Sequence, residues 1–171
     1  MSTDELVALF HHRWAPPALA LLAERGAARF VELQRQLGAG SNPLRQALTA
    51  LVALGYARRN PGYGHPLRPE YLVTDAGTAA GRTSARILRA ADPDLLLRKW
   101  SVPTLAQLDQ PRRFSELRAG LGSVSPRSLA LALQDLEQAR LVEREVVATR
   151  PPSTVYRATR HGRRIARLAA V

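Results

Sequence analysis

The chain repeats itself, and that repeat limits what it can fold into more than any other feature. Trp14 aligns with Trp100, Phe30-x-x-Leu33 with Phe114-x-x-Leu117, and Leu37-Gly38 with Leu121-Gly122. Leu44-x-x-x-Leu48 then matches Leu129-x-x-x-Leu133, Arg59 matches Arg144, and Tyr71-x-x-Thr74-x-x-Gly77 matches Tyr156-x-x-Thr159-x-x-Gly162. From Leu44 onward the offset is constant at 85 residues, the distance from Tyr71 to Tyr156. Before Leu44 it slips by a residue or two, where short turns belong. Solenoid units repeat every ~20–50 residues, so this longer period predicts two similar domains, 1–91 and 92–171. Units of about 80 residues lie near the lower limit of independent stability, and the two are expected to share apolar surface.

Each copy carries the same succession of signals. In the first, apolar spacing and turn residues predict helices over 4–10, 18–24, 29–37 and 43–54, with Ser2 or Thr3 capping the first. Strands are predicted over 56–59 and 70–73 on either side of the turn signal Asn60-Pro61-Gly62-Tyr63-Gly64, with a further helix over 75–90. In the second copy the helices fall over 94–108 with Pro103 inside, 113–121 and 126–139. Strands over 141–147 and 155–158 and a closing helix over 161–170 follow. Ser125 followed by Pro126 reads as an N-cap and first helical residue. The boundary, Ala90 to Pro93, is too short for a flexible tether and predicts a fixed angle between the two units. The expected fold class is mainly α with small β-hairpin wings (α+β), as two tandem winged helix-turn-helix domains.

Charge points to a polyanionic partner. The net charge is +11 and the only lysine is Lys99; every other basic residue apart from the four histidines is arginine. Residues 1–90 hold 11 basic and 6 acidic residues and residues 91–171 hold 14 and 8, so both units are basic. Arginine forks match phosphate and guanine edges, and double-stranded DNA is the expected partner. Arginine-rich codon usage that merely solvates the surface is the alternative. The chain has 46% hydrophobic and 23% charged residues, ordinary for a folded protein. It has no cysteine, which excludes disulfides, thiolate metal sites and thiol redox sensing. With no targeting segment or membrane-length apolar run, a cytoplasmic, nucleoid-associated location is expected.

In a winged helix-turn-helix the last helix of the turn motif enters a major groove, and the hairpin lies on the backbone or in the minor groove. The base-reading candidates are the residues between the buried leucines. In the second copy these are Arg127, Ser128, Leu131, Gln134 and Asp135, and in the first Asn42, Arg45, Gln46 and Thr49. Solvated helix positions are the alternative for each. Backbone candidates flank the hairpins: Arg144, Arg150 and Arg157 in the second copy, and Arg58, Arg59, His65 and Arg68 in the first. Arg112 and Arg113 stand at a helix N-terminus, which also favours phosphate.

The run Arg113-Phe114-Ser115-Glu116-Leu117, then Ser125-Pro126-Arg127-Ser128-Leu129, then Leu133-x-x-Leu136-Glu137-x-x-x-Leu141-Val142-x-Arg144, resembles the HxlR family of winged-helix transcription regulators, relatives of the MarR family. Lys99-Trp100, Pro151-Pro152, Val155-Tyr156, Thr159 and Gly162 extend the resemblance; the first copy matches more weakly. The resemblance implies a DNA-binding regulator of bacterial type, whose single-domain relatives pair through terminal helices, some sensing oxidants through a cysteine. The missing cysteine rules out that carry-over here. The duplication implies that one chain acts as a pseudo-dimer, free as a monomer or weak homodimer. Arg140 stands where a glycine is usual, either contacting phosphate or simply exposed.

Three other classes remain. An enzyme finds little support: of the four histidines, His11, His12, His65 and His161, the first two are adjacent and diverge by roughly 100° on a helix, and no His-x-x-x-His, carboxylate cluster or phosphate-cradling glycine loop appears. A small-molecule effector site is the second, with Phe10, Trp14, Tyr63 and Trp100 lining a cavity between the units. The tryptophans' repetition favours core roles instead. A protein-interaction module with only non-specific DNA affinity is the remaining alternative.

Overall fold

The computed structural model describes residues 1–60, 69–148 and 153–170. The order helix, helix, strand, helix, helix, strand, strand, helix occurs twice along it. The first series is α1 Thr3–His11, α2 Ala15–Arg25, β1 Ala27–Arg29, α3 Phe30–Leu37, α4 Ser41–Ala53, β2 Ala57–Asn60, β3 Glu70–Val73 and α5 Asp75–Leu88. The second is α6 Pro93–Leu96, α7 Ser101–Ala106, β4 Arg112–Arg113, α8 Phe114–Leu121, α9 Pro126–Gln138, β5 Val142–Val147, β6 Ser153–Ala158 and α10 Arg160–Ala169. Each series closes a three-stranded antiparallel sheet with the later hairpin strand in the middle, β1-β3-β2 and β4-β6-β5. Position and type agree with expectation for most elements. The short edge strands β1 and β4 were not expected.

The caps explain where the helices begin. Ser2 caps α1 with a full capping box, its hydroxyl accepting from Glu5 N–H at 3.2 Å and Glu5 accepting from Ser2 N–H at 2.7 Å. Ser125 caps α9, accepting from Ser128 N–H at 3.1 Å. The equivalent cap of α4 is Gly40, which has no side chain to bond. That helix starts at Ser41 rather than near Pro43, because a proline in the first turn loses no intrahelical bond. The same reasoning corrects the helix expected over 94–108. Pro103 cannot sit mid-helix, so the segment splits into α6 and α7 and Pro103 occupies the first turn of α7. Trp100 is the cap residue of α7 and Trp14 that of α2, with matching backbone angles.

The core is continuous across the halves. Leu6, Leu9 and Phe10 of α1 and Leu96, Leu105 and Leu129 of the second series belong to one buried cluster. Helix α1 packs on α2 and α4 of its own half and on α7 and α8 of the other, and α5 packs on α10. Polar links join them: Gln107 Nε2 donates to Thr3 Oγ1 at 2.7 Å, Arg13 pairs with Asp94, and His161 Nε2 meets the Ala90 carbonyl at 2.6 Å. Gly77 and Gly81 do not interrupt α5. A Cβ on Gly77 would fall 1.8 Å from the Tyr56 carbonyl oxygen, and one on Gly81 2.5 Å from the Ala23 Cβ. Their absence lets α5 lie against the wing and α2.

Candidate nucleic-acid interface

Helix α9 is divided by its sequence into two faces. Leu129, Ala132, Leu133 and Leu136 are buried, while Arg127 and Gln134 are exposed and Leu131 is 51% exposed. The turn before it is pinned by Val124, buried at 3%. Its counterpart Ala39 is buried at 5% ahead of α4, and Leu44, Ala47, Leu48 and Leu51 form the inner face of that helix. Asn42, Arg45, Gln46 and Thr49 are exposed on the outer face. Gln34 Nε2 donates to Ser41 Oγ at 2.8 Å, tying α3 to the start of α4.

The outward residues are not equally free. Arg45 Nη1 donates to Asn42 Oδ1 at 2.9 Å, and its guanidinium lies 5.8 Å from the centre of the Phe30 ring, so the pair is held in one orientation. Arg127 has neither an ion pair nor a hydrogen bond among the described residues and extends into solvent. Ser128 is half-buried and its hydroxyl receives the Ser125 hydroxyl at 2.8 Å, so it belongs to the helix cap as much as to the surface. Asp135 departs from expectation. It is half-buried and paired with Arg98 from the α6–α7 turn, and that partnership keeps Arg98 protonated beyond its ordinary range.

The wings carry their arginines on the hairpins. Arg58 and Arg59 are exposed on β2 opposite Leu72 and Tyr71, and Arg144 is exposed on β5 opposite Tyr156. Arg157 is paired with Glu145 across the second hairpin. Arg112 Nη2 bonds Asp109 at 3.2 Å, while its buried Nε has no partner among the described residues. Arg113 is exposed, but its backbone N–H is already taken by Glu116 at 2.6 Å, as that of Arg29 is by Glu32 at 2.9 Å. The α8 N-terminus is thus partly satisfied from within the chain. Tyr63, His65, Arg68 and Arg150 lie outside the described residues.

Of the four aromatic residues expected to line a cavity, Phe10, Trp14 and Trp100 lie among the described residues. Phe10 is core at 1% exposure. Trp14 packs on the core beneath Arg13. Trp100 sits under Lys99 Nζ, 4.8 Å from its ring centre, and borders a hollow of about 240 Å³ beside α9. A cleft of about 590 Å³ between the halves is bounded instead by α1, the end of α4, Lys99 and the turn at Gly122. His11 and His12 meet there edge to face, 4.9 Å between ring centres, because His12 has left the helix for extended backbone. Desolvation, then the charges of Lys99 and His12, lower the His11 pKa. Among the described residues no group of three or more potential metal ligands occurs and no helix is long and apolar enough to cross a membrane.

With this geometry in place, similarity to known proteins becomes specific. Residues 95–170 match the family described as HxlR-like helix-turn-helix. The HTH-type transcriptional regulator YodB of Bacillus subtilis (strain 168) is 35% identical over 69 residues, covering 40% of this chain and 62% of YodB. The chain thus spans less than two thirds of that curated relative. The solved reduced form of YodB from B. subtilis is 32% identical, with 42% of this chain and 72% of that one covered and a TM-score of 0.40. The redox regulator HypR in its oxidised form is 32% identical, with 45% and 80% covered and a TM-score of 0.41. Residues 95–170 therefore carry an HxlR-like helix-turn-helix domain.

Proposed function

We propose that the chain is a sequence-specific DNA-binding transcription regulator in which residues 1–91 and 92–171 act as two winged helix-turn-helix units, a pseudo-dimer within one polypeptide. The observation that carries this reading is the doubled element order, which gives α4 and α9 the same relation to their sheets and turns. Arg45 and Arg127 stand on the outer faces of those helices, suited to bidentate contact with guanine. Arg58, Arg59 and Arg144 on the hairpins suit phosphate contact, which positions a protein without reading sequence. Contact between α5 and α10 supports the pseudo-dimer, since the closing helices of the two units face each other. The regulatory roles named for YodB and HypR support the class of function. Thiol-based redox sensing does not extend to this chain, which lacks cysteine.

Selection of bound sequences from random duplex DNA is the test. The expected result is a pseudo-palindromic site occupied by one or two chains. Recovery of no preferred sequence would leave the alternative, a ligand- or protein-binding protein with only general DNA affinity. The 590 Å³ cleft supports an effector-responsive form of the main reading. Its volume suits a small molecule, and its walls include the end of α4 and the turn before α9. Thermal-shift screening with small aromatic metabolites tests it.

A further inference from the structure

The closing helices carry a concentration of positive charge that the recognition helices and wings do not use. Arg86 of α5 and Arg160, His161, Arg163, Arg164 and Arg167 of α10 line one groove of about 1080 Å³ at the seam between the halves. Among the described residues no carboxylate lines it. All five arginines are exposed, and among the described residues none is in an ion pair. Arg163 donates to the Ala158 carbonyl at 3.2 Å; the other four guanidiniums make no hydrogen bond among the described residues. So many like charges repel one another unless an anion lies among them.

The spacing suits a polymer. Arg160, Arg163, Arg164 and Arg167 recur at helical intervals along one face of α10, over about 10 Å of helix axis. A DNA duplex presents one phosphate per ~1.7 Å of its axis, so this row spans several phosphates. The groove is also removed from the proposed reading face. Helix α2 packs against both α4 and α5, and α7 against both α9 and α10, so a helical layer separates the recognition helices from the closing helices. Packed helix axes stand ~8–10 Å apart, which keeps a straight duplex seated on α4 and α9 away from α10.

We propose that the α5–α10 groove is a second DNA-binding surface, sequence-independent, which grips the backbone of another duplex segment while the recognition helices hold the first. The protein would then bridge two DNA segments. This rests on the recognition reading above only for which face holds the first segment.

The test uses the full chain and the triple variant Arg86→Gln, Arg164→Gln, Arg167→Gln. An immobilised duplex carrying the selected site is saturated with protein and offered a labelled second duplex of random sequence. The native protein is expected to capture the second duplex, and the variant to retain the first while capturing about tenfold less of the second. A native protein that captures no second duplex, or a variant that captures as much, overturns the proposal. So does capture abolished by small polyphosphate at concentrations that leave the first duplex bound, which would make the groove a site for a small polyanion. If the immobilised duplex is held no better than random DNA, the recognition reading fails instead. Solution affinities of native and variant for random duplex then decide the groove, equal values overturning it. Unchanged melting temperature in the variant separates lost charge from lost fold.

Discussion

Arg140 is the described non-glycine residue with positive φ, at 56°, and its counterpart by the 85-residue offset is Gly55, at φ 72°. Both end the helix that precedes a wing, where the chain must turn left-handed. An L-residue with a Cβ pays ~1–2 kcal/mol for this conformation. Part of that is returned, because glycine costs more to order from the unfolded state. Arg140→Gly is therefore expected to stabilise the protein by up to about 1 kcal/mol, raising the melting temperature by about 2–4 °C. A fall would mean the arginine side chain contributes more than its strain costs. Arg127 and Arg144 make a second contrast at this scale. Arg127→Ala should cost about 1–3 kcal/mol at one base position of the selected site and relax preference there. Arg144→Ala should weaken all sequences alike and reduce the salt slope by about one. A uniform loss from Arg127→Ala in binding measurements across site variants would show that α9 does not read bases.

At the scale of elements, the Thr-x-x-Gly signature has a physical explanation. Thr159 caps α10, accepting from Gly162 N–H at 3.1 Å while its hydroxyl donates to the Arg140 carbonyl at 2.9 Å. Thr74 does the same for α5, with Gly77 N–H at 3.0 Å and the Gly55 carbonyl at 2.7 Å. The glycine then brings the helix onto the wing, since a Cβ on Gly162 would lie 2.0 Å from the Leu141 carbonyl oxygen. Gly162→Ala should therefore cost about 2–4 kcal/mol, and denaturant unfolding measures it. A loss below about 0.5 kcal/mol would show that α10 shifts freely off the hairpin. The repeat made this pairing legible, as leucine spacing did for α4 and α9 and serine chemistry for the α9 cap. Strands β1 and β4 were not legible, because three and two residues carry no period. They join the sheets by pairing with β3 and β6, Ala28 opposite Tyr71 and Arg112 opposite Tyr156. The spacing of Asp135 predicts a groove-facing residue, while its partner Arg98 lies 37 residues away and is invisible to local pattern.

The whole molecule is governed by the burial of α1. Leu6, Leu9 and Phe10 are at most 1% exposed and lie in a helix that touches elements of both halves. Burying each such side chain contributes ~1.5–3 kcal/mol, and the second half loses that cover when expressed alone. Residues 92–171 are therefore expected to be markedly less stable by themselves, while the full chain unfolds in a single calorimetric transition. Two separated transitions would show halves that fold independently. The same arrangement bears on assembly. Single-domain relatives are expected to find a partner chain for their terminal helices, whereas here α5 and α10 already cover each other and α1 already covers α7 and α8. Little apolar surface is then left to drive association: among the described residues the large exposed hydrophobics are Val31, Val52, Leu131 and Val146, which stand on different elements. Sedimentation of the free protein should show a monomer or a weak dimer that dissociates on dilution. With at least six arginines on the reading face and wings, DNA affinity should fall by about 10³–10⁵ between ~50 and ~200 mM salt. An obligate tetramer would place the recognition helices in a pairing that one chain cannot make, and the pseudo-dimer would have to be given up even if the salt dependence were as expected.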